Sequence, residues 1–210
     1  FITTTPATIT SYGEESGEFT ATIPANTRRI HFIANQNMTD FQEDEFRNKS
    51  EADVIALLEG SSGMMIYWAR FACDANNEES IDQQLAKNPN IIMIRNQAKI
   101  TIDNPTGNGY LVVTGFTAYN TNAFGTVAPY HPTKGWVWSS NADVEPFVTL
   151  PANDAKLSDI QDVQDISQNP ELYVFECENS SEDPVSVIIR GHLPGESEEL
   201  YYRVMLIKEN

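Results

Sequence analysis

The chain has 210 residues, of which 40% are hydrophobic, an ordinary composition for a folded globular protein. Thirty acidic residues against thirteen basic ones give a formal net charge of −17, and such a surface repels nucleic-acid phosphates and anionic lipids. Solubility alone is the simpler explanation of this charge. Because of this charge we expect no nucleic-acid partner. Because no apolar run is long enough to cross a bilayer, we also expect no membrane span.

Two early segments have the alternating pattern of β-strands. They are Glu18–Ile23 and Arg28–Asn35, in which apolar residues recur at every second position. In the second segment Arg29, His31 and Ile33 share one face, because side chains alternate across a strand. Both segments are predicted as strands.

A capping box predicts one short helix. Ser50 is a favourable N-cap, Asp53 stands at the third helical position, and an apolar stripe runs through Val54–Leu58. Gly60 is expected to end this helix. A further short helix is expected around Ser80–Lys87.

The centre of the sequence predicts a long antiparallel hairpin. Its arms are Ile91–Ile102 and Tyr110–Tyr119, and the segment between them, Asp103–Gly109, is rich in turn-forming residues. The first arm has one polar face. Both alternating sets of the second arm are largely apolar, which predicts a central strand covered on both faces.

Several further segments read as short strands, and the many strands favour a β-sandwich. A change in composition near Val144–Pro151 predicts a domain boundary. Leu200–Ile207 is apolar on both alternating sets, so we expect it to pair within the second domain with both faces covered. The further strands are Met64–Phe71, Phe147–Leu150, Leu172–Glu178, Val185–Arg190 and Leu200–Ile207.

The sequence gives no motif for catalysis, for a cofactor or for a metal. Three histidines stand too far apart for ligand spacing, and they are His31, His131 and His192. Cys73 and Cys177 are also far apart, and we interpret them as buried free thiols, although their pairing stays open. The chain is therefore expected not to be an enzyme, with no catalytic, cofactor-binding or metal-binding residues.

Two weaker patterns each have a functional and a structural interpretation. Three carboxylates at a spacing of three either approach a calcium ion or form a solvated turn, and the turn is favoured because the alternating order of a calcium loop is absent. Three aromatic residues in a Pro/Gly-rich loop either contact sugars or partner proteins, or plug the end of a sandwich. The carboxylates are Asp159, Asp162 and Asp165, and the aromatic residues are Tyr130, Trp136 and Trp138.

An ordered set of segments carries a family resemblance. These segments are ANTRRIHFIAN, ALLEG with MMIYWAR, IIMIRNQAKITI, GFTAYNTNAFGTVAPY, FVTLP, YVFECEN, VSVIIRG and YYRVMLI. Together they resemble the fimbrillin family of type V pili from anaerobic Gram-negative bacteria, including its minor and tip subunits. The resemblance covers nearly the whole chain.

The resemblance implies a mainly β fold with two transthyretin-like β-sandwich domains, residues 1–146 and residues 147–210, the second incomplete. It implies export as a lipoprotein to the outer membrane and the fimbrium. Subunits of this family join by strand exchange after proteolysis removes a first strand, so the expected partners are other pilin subunits and host or bacterial surface receptors. A surface glycan-binding β-sandwich lipoprotein that uses Tyr130, Trp136 and Trp138 is the alternative.

The positions that match the family look like fold-defining positions rather than catalytic ones. They are Arg95, Asn96, Ala98–Ile100, Phe175, Glu176, Tyr202 and Arg203. The family's lipidated cysteine and first strand do not precede Phe1, and family members usually continue beyond the strand that ends near Asn210. The chain is accordingly expected to be the middle of a longer protein.

Overall fold

The computed structural model describes residues 3–14, 16–36, 43–61, 65–73, 79–103, 110–128, 162–168, 170–177, 179, 182 and 184–206. Within these ranges the protein is mainly β, and its strands form several antiparallel sheets. The strands are β1 Thr8–Tyr12, β2 Gly17–Thr20, β3 Arg29–Ala34, β4 Glu59–Ser61, β5 Tyr67–Ala72, β6 Ile94–Arg95, β7 Gln97–Ile100, β8 Val112–Tyr119, β9 Phe124–Thr126, β10 Gln164–Asp165, β11 Leu172–Phe175, β12 Ser186–His192 and β13 Leu200–Met205. The helices are α1 Glu43–Phe46, α2 Glu51–Ala56 and α3 Ile81–Lys87, and Ile166–Gln168 forms a short 3-10 turn.

The largest sheet has the strand order β10-β8-β12-β13. The long strand β8 lies between β10 and β12, and its Phe116 and Ala118 are buried. This confirms the prediction of a central strand over Tyr110–Tyr119. Apolar residues on both faces of β8 suit a strand whose two faces are covered by other parts of the protein.

The predicted central hairpin is wrong. The segment Ile91–Ile102 forms β6, which pairs with β5, and β7, which pairs with β11, whereas β8 pairs with β10 and β12. The strands β7 and β8 therefore pair with strands distant in the sequence and not with each other. Strands near the C-terminus match the apolar faces of β8 and the alternation of β7 better than these two strands match each other. The turn residues 104–109 lie outside the described ranges.

A second sheet, β3-β5-β6, carries the main apolar cluster together with α2. Trp68 of β5 is the largest fully buried side chain in this part of the molecule. Ile33 and Val54 pack at the edge of the cluster. Its buried members are Phe46, Ile55, Leu58, Ile66, Trp68, Val127 and Ala128.

The helix predicted at Ser50 is confirmed, but its end is not. Ser50 accepts a hydrogen bond from Asp53 N, and the Asp53 carboxylate accepts one from Ser50 N, so the capping box is complete. The helix ends at Ala56, and Gly60 lies in β4, which pairs with β9. A side chain at Gly60 would come within 2.4 Å of Asn96 Nδ2, so packing rather than helix termination explains this glycine.

The described residues contain three short helices, so the expectation of one short helix is wrong. The helix α3 begins after Ser80 and confirms the second, weaker helix prediction, with its own capping box from Ser80 and Gln83. The helix α1 was not predicted. Its four residues include Phe46, whose burial in the apolar cluster holds an otherwise acidic segment against the protein.

Strands from both sides of the predicted boundary between residues 146 and 147 share sheets. The strand β8 pairs with β12, and β7 pairs with β11. The boundary itself and the predicted strand Phe147–Leu150 lie outside the described residues. The N-terminal and C-terminal segments are thus joined by backbone pairing.

Candidate interaction surface

The strand β13 lies at the edge of the largest sheet. It pairs with β12 along its whole length, from Leu200 opposite Gly191 to Met205 opposite Ser186. In the part of the chain that the structure describes, no strand pairs with its other side. This confirms that Leu200–Ile207 forms a strand paired within the C-terminal segment, over Leu200–Met205.

The side chains of β13 are exposed on both faces. Tyr201 is 60% exposed and Met205 55% exposed on one alternating set, and Tyr202, Val204 and Leu206 are exposed on the other. The expectation that both faces are covered is therefore wrong. These exposures show that β13 is not packed under another layer, and its place at the edge of the sheet leaves one side of its backbone open as well.

The backbone of β13 presents hydrogen-bonding groups outward. Leu206 N donates to Val185 O at 2.9 Å, so the peptide groups at Leu206 face β12. Since these groups alternate along an antiparallel strand, those of Val204 and Tyr202 also face β12, whereas those of Met205 and Tyr201 face away from it. An extended partner chain can pair with such an edge.

Side-chain contacts hold β13 in place. Arg203 Nε donates to Ser186 Oγ at 2.9 Å, and the Arg203 guanidinium lies 5.0 Å from the centre of the Tyr119 ring. At the strand end Asn179 accepts a hydrogen bond from Val185 N at 2.8 Å and donates one to Leu206 O. These contacts preorganise the edge, which lowers the entropy cost of pairing with a partner.

The hairpin formed by β1 and β2 is a second exposed feature. All nine residues of its two strands are exposed, including Ile9 and Tyr12, the latter 90% exposed. The Phe19 ring contacts the Phe32 ring of β3, with centroids 5.6 Å apart. A two-stranded hairpin has little stability of its own in water, so this hairpin depends on such contacts.

A buried charged cluster joins α2 to the sheet β3-β5-β6, and its centre is Glu51. Arg70 Nε donates to Glu51 Oε1 at 2.5 Å, Arg29 donates to Oε2 at 2.7 Å, and His31 Nε2 lies 2.9 Å from Oε1. Trp68 Nε1 donates to His31 Nδ1 at 3.1 Å.

The electrostatics of this cluster favour an ionised Glu51. Burial raises the pKa of the Glu51 carboxyl, but the hydrogen bonds from His31 and Arg70 and the charge of Arg70 outweigh burial and lower it to about 2. The side chain of Glu51 is 12% exposed and that of Arg70 is 2% exposed. Arg29 is much more exposed and, as a surface partner, contributes little.

The sequence patterns did not predict this cluster, although one signal was present. Arg70 stands in the otherwise apolar strand segment MMIYWARF, and a buried arginine requires a carboxylate partner. The face shared by Arg29 and His31 was predicted, and both side chains do reach Glu51. The sequence did not indicate which of the thirty acidic residues completes the site.

The predicted aromatic contact residues, Tyr130, Trp136 and Trp138, lie outside the described residues, as does Asp159. Asp165 Oδ1 accepts a hydrogen bond from Ser167 N at 2.9 Å, and this bond, followed by a side-chain bond from Ser167, lowers the pKa of Asp165. Such a bond is typical of a local turn. Within the described ranges, no group of three or more His, Cys, Asp or Glu side chains is arranged to hold a metal ion.

No disulfide joins Cys73 and Cys177. The prediction of burial is confirmed for Cys73, whereas Cys177 is only partly buried. Asn96 is buried, and its Oδ1 accepts a hydrogen bond from Ile66 N at 3.1 Å. This bond joins the residue after β6 to the residue before β5.

No family model, curated protein or solved structure matches the chain. Among the described residues, no helix has the length and apolar character needed to cross a membrane.

Proposed function

We propose that the protein is a structural or adhesive subunit of a cell-surface pilus, which assembles by β-strand exchange between subunits. The proposal includes a pair of transthyretin-like β-sandwich domains and a location at the outer membrane, reached through a lipoprotein precursor. Its partners are other pilin subunits, together with host or bacterial surface receptors. It rests on the resemblance of the ordered segments to fimbrillins and on one structural observation.

That observation is the open edge of β13. The strand is apolar and exposed on both faces, and the peptide groups of Met205 and Tyr201 point away from β12. Isolated soluble domains usually protect such an edge with charged residues, proline or a covering loop. A subunit that receives a partner strand needs an unprotected edge, with apolar side chains that the partner strand can bury.

The free energy gained by burying apolar side chains supports pairing at this edge. Burying one large apolar side chain contributes about 1.5–3 kcal/mol, and β13 offers several. The net charge of −17 on each copy opposes association, and salt screens that repulsion. Assembly of this protein is therefore expected to increase with ionic strength, which distinguishes burial of apolar strands from ion pairing.

A proline substitution tests the role of the edge. We expect Met205→Pro to fold but not to assemble, because it removes an outward N–H without interrupting the pairing with β12. The measurement uses the longer protein that the resemblance implies, after proteolytic removal of its first strand, and records the ladder of SDS-resistant oligomers and the filaments seen by electron microscopy. Ile92→Pro is the control, since Ile92 is an exposed apolar residue outside β13.

Two results would contradict the proposal. The first is a wild-type protein that stays monomeric after trimming at both low and high salt. The second is a Met205→Pro variant that forms the same ladder as the wild type.

The alternative function, glycan binding by a surface lipoprotein, rests on Tyr130, Trp136 and Trp138, which lie outside the described residues. Retention of the wild-type protein on a polysaccharide gel, lost when Trp136 and Trp138 are both changed to alanine, would favour it.

A further inference from the structure

Two of the described strands combine high exposure with the absence of carboxylates. Five residues of β1 and five of β13 are exposed, and neither strand contains an acidic residue. The strand β2 is also exposed throughout, but it contains Glu18. On a chain with a net charge of −17, a second copy of the chain meets least repulsion at an exposed strand without carboxylates.

The edge of β13 is more regular than that of β1. A register shift between Ile9 and Ser11 interrupts β1, and such a bulge twists an edge away from further pairing. The register of β13 against β12 is continuous from Leu200 to Met205. Of the two strands, β13 is therefore the better surface for a second copy.

The sequence of β13 is complementary to itself. In antiparallel pairing of two copies about a two-fold axis at Arg203, Tyr201 would stand opposite Met205 of the second copy. The outward N–H and C=O groups of these two residues would then bond to each other, twice in each dimer. In the same register Tyr202 would stand opposite Val204, so that each aromatic ring faces an aliphatic side chain.

Arg203 would lie beside its own copy at the axis, where like charges oppose pairing. Its side chain, however, turns back across its own sheet. Its guanidinium donates to Ser186 Oγ and to Pro184 O, and it lies 5.0 Å from the centre of the Tyr119 ring. Because Tyr119 belongs to β8, two strands in from the edge, these contacts keep the two positive charges apart.

We propose that β13 is a self-recognition surface, at which two copies of the chain pair edge to edge in antiparallel order and form a symmetric dimer. The sheet β10-β8-β12-β13 then continues into the same four strands of the second copy. Because both copies contribute the same edge, the interface is closed and produces dimers rather than longer chains. One strand from each copy buries less area than a standard interface, so the dimer is weak.

The dimer occupies the edge that the proposed pilus function assigns to an incoming partner strand. A paired β13 cannot accept that strand, so dimer formation competes with assembly. This competition rests on the proposed pilus function, whereas the dimer itself does not. A chain that dimerises, although the longer protein forms no filaments, would contradict only the pilus function.

The direct test is hydrogen–deuterium exchange of the wild-type chain, followed by nuclear magnetic resonance at low and high protein concentration. The outward amides of Tyr201 and Met205 should exchange more slowly as the concentration rises. Those of Tyr202 and Val204 already face β12 and should change much less. Analytical ultracentrifugation should show a species of two copies and nothing larger. A monomer at every concentration, a larger oligomer, or slowed exchange without this alternation would overturn the proposal.

A proline variant measures the contribution of the outward backbone groups. Met205→Pro removes one outward N–H from each copy, so the dimer loses two hydrogen bonds and should dissociate about thirtyfold more readily. Ile92→Pro, at an exposed apolar residue outside β13, should leave the dimer unchanged. Equal dissociation constants for the wild type and Met205→Pro would refute pairing through this edge.

Two double variants test the antiparallel register. In Tyr201→Glu, Met205→Lys each introduced carboxylate would face an introduced ammonium group of the second copy, whereas in Tyr201→Lys, Met205→Lys like charges would face each other. The first should therefore form the tighter dimer at low salt, and the difference should shrink as salt is added. Equal dimerisation of the two variants would overturn the register. If either variant does not fold, the exchange pattern of the wild-type chain decides the question.

Discussion

At the scale of single residues, Glu51 is the carboxylate on which Arg29, His31 and Arg70 converge. It neutralises Arg70, whose side chain is 2% exposed, and it does so from a position that is itself nearly buried. Removing one partner of such a pair costs far more than removing a surface ion pair, because the remaining charge stays away from water. Arg29, at the exposed side of the cluster, should matter much less.

We predict that Glu51→Gln lowers the free energy of unfolding by about 3–5 kcal/mol, because it removes the carboxylate charge that accepts two hydrogen bonds from the buried Arg70 guanidinium. Chemical denaturation at pH 7 measures the effect. Glu45→Gln is the control, since Glu45 is an exposed acid on α1 and should change the stability by less than about 0.5 kcal/mol. A loss for Glu51→Gln no larger than that of the control would contradict the buried-pair interpretation.

The same residue predicts a pH dependence. The pKa of Glu51 falls from an ordinary 4.5 to about 2 in the folded protein, so its stabilisation is complete above pH 4.5 and is lost as the pH falls towards 2. The contribution is about 3 kcal/mol. When the free energy of unfolding is measured as the pH falls from 4.5 towards 2, the wild type should lose about 3 kcal/mol more than Glu51→Gln. Parallel curves for the two proteins would show that Glu51 is not the titrating group.

At the scale of elements, capping determines where the helices begin. The helix α2 has only six residues, and an isolated helix of this length is unstable in water. Its N-cap, Ser50, and its contacts through Ile55 with the apolar cluster are therefore both needed. Because α2 also carries Glu51, a weaker cap should disturb the charged cluster as well as the helix.

We expect Ser50→Ala to destabilise the protein by about 1 kcal/mol, since it removes the hydroxyl that accepts from Asp53 N. Ser50→Thr keeps a capping hydroxyl and serves as the control. Thermal unfolding compares the two variants with the wild type. A Ser50→Ala protein as stable as Ser50→Thr would mean that packing alone fixes the start of α2.

Elements that depend on contacts between residues close in the sequence were predictable, and pairings between distant segments were not. Ser50 and Asp53, three positions apart, interact locally, so the sequence was sufficient to place the start of α2. Alternation likewise located most of the strands, including β3 and β13. Pairing is different: β7 and β8 flank a good turn signal, yet each pairs with a strand from beyond residue 160, and only the sum of packed faces decides that choice.

The same distinction explains which parts of the candidate sites could be predicted from the sequence. The face of Arg29 and His31 followed from period-two alternation, but the choice of Glu51 as their partner depended on how α2 packs against the sheet. Exposure of β13 was missed because a sequence that is apolar on both faces is equally consistent with a central strand. Burial depends on neighbours, which local patterns do not specify.

At the scale of the whole molecule, close packing links segments that are distant in the sequence. Gly125 of β9 lies against Phe175 of β11, and a Cβ atom placed there would be 2.5 Å from the Phe175 ring. The strand β9 pairs with β4, and β11 pairs with β7. This single contact therefore brings two separate sheets together.

Gly125→Ala should accordingly destabilise the protein by about 1–3 kcal/mol, because the added methyl group overlaps an aromatic ring in a packed region. Gly13→Ala is a suitable control, since its nearest neighbour would be 3.4 Å away, an ordinary contact. Urea denaturation compares both variants. If the double variant Gly125→Ala, Phe175→Leu regains stability relative to Gly125→Ala, the contact is confirmed, and a double variant less stable than either single variant would argue against it.

The pairing of β8 with β12 has a consequence for how the protein is made. Thr114 and Arg190, which are in contact across this pair, stand 76 positions apart in the chain. During synthesis β8 leaves the ribosome long before its partner exists, with apolar side chains on both faces. Such non-local pairing slows folding and prolongs the lifetime of aggregation-prone intermediates. We therefore expect a nascent chain that stops before β12 to need a chaperone to remain soluble.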